Sequence, residues 1–404
     1  MKFRWRVAIV TFSTALSLLL LMGAVLGQEK TSPDPYRPLA VLSEVLARIE
    51  SDYVEDPNFT QVTEGALHGM LESLDPYSSY LTPQEYEAYQ KRRQQEAGIG
   101  AVVSKRFGYV SLVTVFPGSP ADQAGLRAGD VIESIEGRTT REMSLVEVNS
   151  QLEGAKGSAV RLSVVRERAS EPKPLTLTRQ VTVLPEVEGR LLDSDIGYIR
   201  VAAFPEGTSE KIADWVRQLR RRGAARFIVD LRDNAYGEVE EGVKTANLFL
   251  RRGLISYLEG QQFPRKSFVA DSGKTASEEP LAVLVNASTG GAAEIVAAAM
   301  LDNHRGGVVG ERTYGIGSVQ KLIPLDDGSA LLLSVAKYFT PTGTEIQENG
   351  VAPSVPVEQE REFVALPEGG EPVIPPKSKK PEEDTLLQRA IEWLRAQQNQ
   401  PKAA

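Results

Sequence analysis

The chain has 404 residues, with 46 lysines and arginines, 54 aspartates and glutamates, two histidines and no cysteine, and its formal net charge is −8. This length predicts two or three domains. Without cysteine there is no disulfide, thiolate nucleophile or cysteine-ligated metal, and two histidines, His68 and His304, are too few for a histidine-rich zinc site. We therefore expect no metal and no cofactor. The acidic balance argues against nucleic-acid partners, because such binding depends on clustered lysine and arginine.

The first 27 residues indicate the compartment. Lys2, Arg4 and Arg6 precede an uncharged, mostly apolar run at residues 7–27. A basic region followed by an apolar run is typical of a secretory signal, and a run of about 20 residues also spans a bilayer. Residues 1–27 are therefore either a signal peptide cleaved after Gly27 or a membrane anchor. Both alternatives predict export to the periplasm or another extracytoplasmic compartment.

The next two regions differ in their periodicity. Residues 36–95 carry apolar positions at helical spacing, as in 39–49 and 62–74, and Pro76 ends the second helix. From Gly98 to about residue 167, short apolar runs alternate with Pro-Gly and Ala-Gly turns. That pattern predicts a small β-rich domain.

From residue 181 onward, strands and helices alternate, which indicates an α/β layer. Asp230 and Arg232 follow a buried strand, and we expect them to be structural ion partners. Residues 359–404 are predicted to be a polar linker and one amphipathic helix that packs on the core or on a partner. The predicted elements are strands at 196–202, 227–231 and 281–285, helices at 209–221, 239–250, 294–301 and 384–397, and a hairpin of 318–325 with 330–339.

Several separate segments, taken in chain order, resemble the carboxyl-terminal processing (tail-specific) serine protease family. The resemblance covers residues 36–358 and implies a multidomain fold of the α+β and α/β classes. Its parts are an N-terminal helical region (36–95), a PDZ domain (97–168) and a core similar to the ClpP/crotonase arrangement (180–358). The matching segments are GALHGMLESLDPYSSYLTP (65–83), GIGA (98–101), GSPADQAGLRAGD (118–130), IGYIR (196–200), VDLRDN (229–234), VGERTYG (309–315) and YFTPTG (338–343).

The resemblance places a peptide-binding loop at Gly98, Ile99, Gly100 and Ala101. A PDZ domain binds a peptide as an added strand, and the N–H groups of a glycine-rich loop hold its terminal carboxylate. Protein C-terminal tails ending in a nonpolar residue are the expected partners. The alternative is that these glycines only form a turn.

The family pairs a serine nucleophile with a lysine base and has a glutamine nearby, because a desolvated lysine can take the proton from the serine. The family's nucleophile motif places that serine at Gly291, and its T-F-G-K-G motif places the lysine at Ile316. Gln320 is retained. In the turn that resembles an oxyanion-hole element, Tyr236 replaces a glycine. The resemblance therefore implies that both halves of the dyad are missing.

Three functions remain open from the sequence. The first is a pseudoprotease that binds C-terminal tails, or an active protease relative, without cleaving. The second is an active endopeptidase with a relocated nucleophile such as Ser288 or Thr289, although hydroxyls before a helix more often form turn or cap bonds. The third is a scaffold with an inert PDZ domain that oligomerises through its helical ends.

Overall fold

The computed structural model describes residues 37–92, 97–166, 171–193, 195–357 and 384–397. The predicted signal or anchor (1–27), nearly all of the predicted linker and the C-terminal end lie outside these residues. No helix in the described part of the chain is long and apolar enough to cross a membrane. The described residues fall into two compact units that divide between Gly65 and Ala66.

The N-terminal region is helical with one short strand. The second helix ends at Glu72, ahead of Pro76, and Asp75 accepts hydrogen bonds from the N–H groups of Tyr77 and Ser78 at 2.8 Å each. This turn directs the chain into the strand. The elements are α1 (Arg37–Asp52), α2 (Phe59–Glu72), β1 (Ser79–Leu81) and α3 (Pro83–Arg92).

The β-rich region is an antiparallel sheet with two short helices around one apolar core. Its elements are β2 (Ala97–Gly98), β3 (Ala101–Arg106), β4 (Tyr109–Val115), α4 (Pro120–Gln123), β5 (Val131–Ile135), β6 (Arg138–Thr139), α5 (Leu145–Leu152), β7 (Ala159–Val165), β8 (Lys173–Thr178) and β9 (Gln180–Val181). The strand order is β3-β4-β5-β7-β8, so β3 lies at an edge, and β6 pairs with β5. Strand β8 completes the sheet beyond residue 168, the predicted end of this domain.

The core region contains two further sheets. The strands at 188–192, 254–259, 266–269, 307–310 and 355–356 are not predicted from the sequence, whereas the hairpin of 318–324 with 330–339 is confirmed. The elements are β10 (Glu188–Leu192), β11 (Ile196–Arg200), α6 (Thr208–Arg221), β12 (Arg226–Asp230), α7 (Val239–Phe249), β13 (Leu254–Glu259), β14 (Lys266–Val269), β15 (Leu281–Val285), α8 (Ala292–Asp302), β16 (Gly307–Gly310), β17 (Ser318–Pro324), β18 (Ala330–Phe339), β19 (Val355–Pro356) and α9 (Thr385–Gln397).

The central sheet has the order β10-β11-β12-β15-β16-β19, and its strands run parallel except for β10. Helices α6, α7 and α8 pack on one face, and α9 packs on the other. Because both faces are covered, β12 and β15 are buried along their whole length, which explains their continuous apolar sequence. The second sheet has the order β1-β18-β13-β14, with β17 beside β18.

Helix α9 packs on the core, as one of its two predicted alternatives states. Leu386, Ala390 and Leu394 are fully buried against the central sheet. Asp384 accepts a hydrogen bond from the N–H of Leu387 at 3.0 Å, so it caps the helix. The same carboxylate binds both terminal nitrogens of Arg232 at 2.8 Å, which ties α9 to the end of β12.

Candidate active site and peptide-binding loop

The two predicted dyad positions and the two candidate substitute hydroxyls come together at the carboxyl ends of the parallel strands, where α/β sheets usually bind ligands. Three turns meet there, at residues 233–237 after β12, 286–291 after β15 and 313–317 after β16. The N–H of Gly290 donates to the carbonyl of Asn234, and the N–H of Tyr314 donates to the carbonyl of Thr289, each at 2.8 Å. These bonds place the turn of Gly291 between the other two.

Gly291 lies at the sharp turn from β15 into α8, with φ +59° and ψ −120°. Residues with a Cβ rarely adopt this backbone conformation, whereas glycine does so at little cost. No heavy atom lies within 4 Å of the position that a Cβ would take. The position that resembles the family's nucleophile therefore has room for a side chain but carries none.

Ile316, the position that resembles the family's lysine, brings only an apolar side chain to the site. A Cβ on Gly290 would lie 3.0 Å from Ile316 Cδ1 and 3.0 Å from Ala235 Cβ. Ile316 is half-buried and has no proton to exchange.

Glu294 holds the site together, a role that the sequence hints at only through the remaining half of a capping box. One carboxylate oxygen accepts from the N–H groups of Gly291 and Ile316, at 2.9 and 2.8 Å. The other accepts from the N–H of Gly315 at 2.8 Å and from the hydroxyl of Thr313. Burial raises the pKa of Glu294 to about 7, although these four donors act in the opposite direction.

The two candidate substitutes, Ser288 and Thr289, lie in the same turn. Thr289 is fully buried, and its hydroxyl donates to the carbonyl of Leu231 at 2.9 Å and accepts from the N–H of Asn286 at 3.0 Å. Ser288 is 8% exposed, and its N–H donates to Asn286 Oδ1 at 3.2 Å. Within the described residues, neither hydroxyl is hydrogen-bonded to a lysine, arginine or histidine nitrogen.

Gln320 follows an irregularity in β17, where the register with β18 shifts between Val319 and Gln320. Its Nε2 donates to the hydroxyls of Ser318 and Ser334, at 2.8 and 3.2 Å. The retained glutamine amide is therefore bonded along the hairpin.

The turn that resembles an oxyanion-hole element is held by Phe204. The carbonyl of Tyr236 accepts from the N–H of Phe204 at 2.8 Å. Gly237 has φ +123°, and a Cβ there would lie 2.3 Å from the Phe204 carbonyl. The Tyr236 ring is half-exposed and meets Phe116 of the β-rich domain edge-on, with 5.6 Å between ring centroids.

Further contacts join the β-rich domain to the site. The guanidinium of Arg106 stacks on Tyr314, 4.0 Å from the ring centroid, and the Thr114 hydroxyl donates to the carbonyl of Asp233 at 2.8 Å. The Tyr77 hydroxyl lies 3.0 Å from that of Ser104, and burial raises the pKa of Tyr77. Strands β3 and β4 therefore border the site turns.

Next to the site, Asp230 is a buried ion partner, as predicted. It accepts from Arg200 at 2.8 Å, from Arg232 at 2.9 Å and from the Tyr198 hydroxyl at 2.7 Å. Burial by itself would raise the pKa of Asp230, but the two arginines lower it below its usual value. Burial and the Asp230 charge raise the pKa of Tyr198 to about 12. No cluster in the described residues has three or more metal-binding side chains of the histidine, cysteine, aspartate or glutamate type.

The loop Gly98–Ala101 connects β2 to β3. The carbonyls of Ile99 and Gly100 accept from the N–H groups of Ala121 and Phe116, each at 2.9 Å. Gly100 has φ +74°, and a Cβ there would lie 2.2 Å from Ser119 Cβ, so only glycine fits. Both Ile99 and Gly100 are buried, and their own N–H groups have no hydrogen-bond acceptor in the part of the chain that the structure describes.

Comparison with known proteins gives these features a family. The carboxyl-terminal-processing protease of Synechocystis sp. is 35% identical over 320 residues, which cover 77% of this chain and 75% of that protein. The carboxy-terminal-processing protease of Bartonella bacilliformis is 32% identical over 330 residues, 80% of this chain and 76% of that protein. The chain belongs to the carboxyl-terminal processing protease family. The predicted resemblance is thereby confirmed.

Further matches to this family follow the domain order. Residues 195–357 match peptidase family S41, residues 113–166 match the PDZ domain, and residues 23–85 match the N-terminal domain of the activating protease CtpB. The solved structure of a photosystem II D1 C-terminal processing protease matches with a TM-score of 0.67 and 31% identity. That match covers 78% of this chain and 86% of the solved one. The predicted multidomain fold with a PDZ domain and a protease core is confirmed.

Proposed function

We propose that this family member is a pseudoprotease that binds protein C-termini through its PDZ domain and does not cleave them. The observation that carries the proposal is the identity of the residues at the two dyad positions. Gly291 has no nucleophilic side chain, and Ile316 places a hydrocarbon side chain, without an amine, at the lysine position. Nucleophilic catalysis needs a hydroxyl within hydrogen-bond reach of a base, and these two positions supply neither.

The PDZ loop supports tail binding. Buried N–H groups are almost always paired, so the N–H groups of Ile99 and Gly100, which have no acceptor among the described residues, need one. A peptide carboxylate supplies acceptor oxygens, and the free edge of β3 can take the peptide as an added strand.

The chain acts outside the cytoplasm in this proposal, in the periplasm or another extracytoplasmic compartment. Support comes from Lys2, Arg4 and Arg6 ahead of the apolar run, which acts as a signal or as an anchor. Besides C-terminal tails, a second copy or an active protease relative is a proposed partner. Helix α1 supports such association, because Leu39, Val41 and Val45 on it are exposed.

The alternative is an active endopeptidase that uses Ser288 or Thr289. It is favoured by membership of a protease family and by the position of both hydroxyls in the turn that holds Gly291. Thr289 is the weaker candidate because its hydroxyl already bonds Leu231 and Asn286.

A degradation assay separates the two functions. The full chain and its Gly291→Ser/Ile316→Lys double variant are incubated with an unstructured protein that ends in a nonpolar residue. The pseudoprotease proposal expects no cleavage by the natural chain. Cleavage by the double variant would show that the substrate path survives. If the natural chain cleaves and Ser288→Ala or Thr289→Ala stops it, the endopeptidase alternative is correct.

A second assay tests tail binding. A labelled peptide that ends in a nonpolar residue is titrated with the full chain, beside the same peptide with an amidated C-terminus. We expect binding of the free carboxylate and at least tenfold weaker binding of the amide, about 1.4 kcal/mol. Equal binding of the two peptides, or no binding of either, would contradict a carboxylate-binding loop and favour the scaffold function.

A further inference from the structure

Arginine-rich segments lie at the amino ends of the core strands, opposite the candidate site. Arg220 and Arg221 end α6, and Arg222 follows them just before β12. Arg251 and Arg252 follow α7 just before β13, and His304 and Arg305 follow α8 just before β16. Since β12 and β16 run parallel, this edge of the sheet is one strand length away from the turns that hold Gly291 and Ile316.

Three of these segments converge on residues 276–279. Arg220 donates to the carbonyl of Ala276 at 3.1 Å and pairs with Glu279 at 2.5 Å. Arg305 donates to the carbonyl of Glu279 at 2.8 Å, and Arg251 pairs with Glu278 at 3.3 Å. The guanidinium groups therefore form one surface, although their segments are far apart in the sequence. We call it the basic patch, and it comprises Arg217, Arg220, Arg221, Arg222, Arg251, Arg252, His304 and Arg305.

The basic patch carries an excess of positive charge on an acidic chain. Its seven arginines face three carboxylates, because Asp214 pairs with Arg217 and Glu278 and Glu279 lie between the segments. The side chains of Arg221, Arg222 and Arg252 are exposed and have no carboxylate partner within the described residues. The molecule as a whole has a net charge of −8. Such a local reversal of sign attracts anionic partners.

A cavity of about 500 Å³ opens in the basic patch. Arg251, Arg252, His304 and Arg305 line it, and Glu278 is the single carboxylate among the described residues of its lining. Three backbone carbonyls hold the Arg305 guanidinium in place, that of Phe249 at 2.6 Å among them. Arginine is the side chain best suited to bind phosphate, because its planar group donates two parallel hydrogen bonds.

We propose that the basic patch binds the phosphate groups of an anionic phospholipid surface, with one headgroup in the cavity. The proposal uses the apolar segment at residues 7–27, which as an anchor would hold the chain beside a bilayer. Each basic residue close to an anionic bilayer strengthens the attraction to it. Because the patch lies at the edge opposite the site, docking there leaves the PDZ domain and the site turns away from the lipid.

The absence of cysteine gives a clean test with the full chain. Gln218→Cys places a single thiol on α6 inside the patch, and Phe107→Cys places one in the PDZ domain, where Phe107 is 97% exposed. Each variant is mixed with vesicles of phosphatidylcholine alone or with added phosphatidylglycerol, and labelling by a soluble maleimide is timed. We expect labelling at residue 218 to slow about tenfold on the anionic vesicles only, and labelling at residue 107 to stay unchanged.

Charge variants separate binding by the patch from anchoring by residues 7–27. In the Gln218→Cys background, Arg221→Gln/Arg222→Gln/Arg252→Gln should restore fast labelling on anionic vesicles. Arg138→Gln/Arg161→Gln/Arg312→Gln, which removes the same charge from the PDZ domain and the site edge, should not. If the chain sediments with anionic vesicles but not with neutral ones, residues 7–27 do not anchor it, and the basic patch accounts for the binding.

Two results would overturn the inference. One is equal labelling at residue 218 on both kinds of vesicle at low salt. The other is slowing by inorganic phosphate without vesicles, to the extent seen on anionic vesicles, which would assign the cavity to a free anion.

Discussion

The backbone of Gly291 takes a conformation that any side chain makes costly. Its φ of +59° with ψ of −120° lies outside the regions open to L-residues. A serine placed on such a sharp strand-to-helix turn is held under strain, as in enzymes that have a nucleophile elbow. In this chain glycine occupies the turn, so the same backbone conformation forms without that strain. The proposed loss of the nucleophile therefore goes together with a gain in stability.

Substitution at Gly291 tests this argument. Gly291→Ser and Gly291→Ala should each lower the free energy of unfolding by about 1–3 kcal/mol, because both force a Cβ into the same backbone conformation. The two losses should be similar, since no heavy atom lies within 4 Å of the new Cβ. Urea unfolding followed by tryptophan fluorescence measures them, because Trp215 and Trp393 both pack in the core.

Gly69 offers the matched control. A Cβ there also meets nothing within 4 Å, but its backbone is helical. Gly69→Ala should therefore leave the free energy of unfolding unchanged or raise it by up to about 1 kcal/mol. A loss in Gly291→Ser without a loss in Gly291→Ala would assign the cost to the hydroxyl and contradict the backbone argument.

Glu294 makes the stability of the site depend on pH. Its pKa in the folded protein, about 7, is above the usual 4.5, so the folded state holds the proton more tightly than the unfolded state. This contribution is fully present below about pH 4.5 and is lost as the pH rises to about 7. Glu294→Gln cannot titrate, so its free energy of unfolding should fall less steeply between pH 5 and pH 7. Glu238→Gln removes the same formal charge at an exposed position and is the control.

The slope of the free energy of unfolding against pH distinguishes the titration of Glu294 from a general loss of stability in the variant. Glutamine keeps only one of the two acceptor oxygens, so Glu294→Gln loses either the bonds from Gly291 and Ile316 or the bond from Gly315, and it is expected to be less stable at every pH. Parallel curves for the natural chain and Glu294→Gln would mean that Glu294 does not change its protonation in this range.

At the scale of elements, α9 depends on one clamp. Asp384→Ala removes the cap of Leu387 and both bonds to Arg232, which is largely buried. Opening of α9 should become easier by about 1–3 kcal/mol, because a helix cap and a charged pair are lost together. Hydrogen exchange at Thr385–Gln397 measures this opening.

An exposed pair on the same helix provides the comparison. Arg389 and Glu392 lie 3.0 Å apart, but their side chains are 57% and 64% exposed. Glu392→Ala should therefore change the opening of α9 by no more than about 0.5 kcal/mol. A similar effect of Asp384→Ala and Glu392→Ala would mean that the apolar face alone holds the helix.

The strands that the sequence predicts are those with uninterrupted apolar residues. Leu281–Val285 is predicted with both ends correct, because both faces of β15 are buried. Gly307–Gly310 is missed, because glycine weakens the strand pattern. A Cβ on Gly307 would lie 2.7 Å from the Trp393 ring, and one on Gly310 would lie 1.9 Å from the carbonyl of Val285. These positions must be glycine because residues distant in sequence pack against them, and a local sequence pattern does not reveal such contacts.

For the site, the family resemblance predicts which positions belong together but not what joins their turns. It brings Gly291 and Ile316 into one site, and the structure places both beside Glu294. The bond from Thr114 to Asp233 links residues 119 positions apart, and nothing local in the sequence indicates it. The contact between Phe116 and Tyr236 is equally long-range.

At the scale of the whole molecule, the PDZ domain rests against the site through a small set of contacts. Arg106 stacks on Tyr314 and donates to its carbonyl, and Phe116 meets Tyr236 edge-on. Each such contact contributes about 0.5–2 kcal/mol. The site turns are therefore protected by the PDZ domain only as long as a few side chains hold it in place.

Removal of those side chains should expose the site turns without unfolding either domain. Arg106→Ala/Phe116→Ala is expected to speed hydrogen exchange at residues 233–237 and 313–317 by about tenfold, because two contacts of that size control the opening. Exchange in β15 should not change, since that strand is buried in the core. Tyr109→Ala is the matched control, because Arg141 stacks on that ring 4.3 Å away within the PDZ domain itself. If exchange at the site turns stays the same in the double variant, the other joining contacts, such as Tyr77 with Ser104 and Lys105 with Glu72, hold the PDZ domain in place.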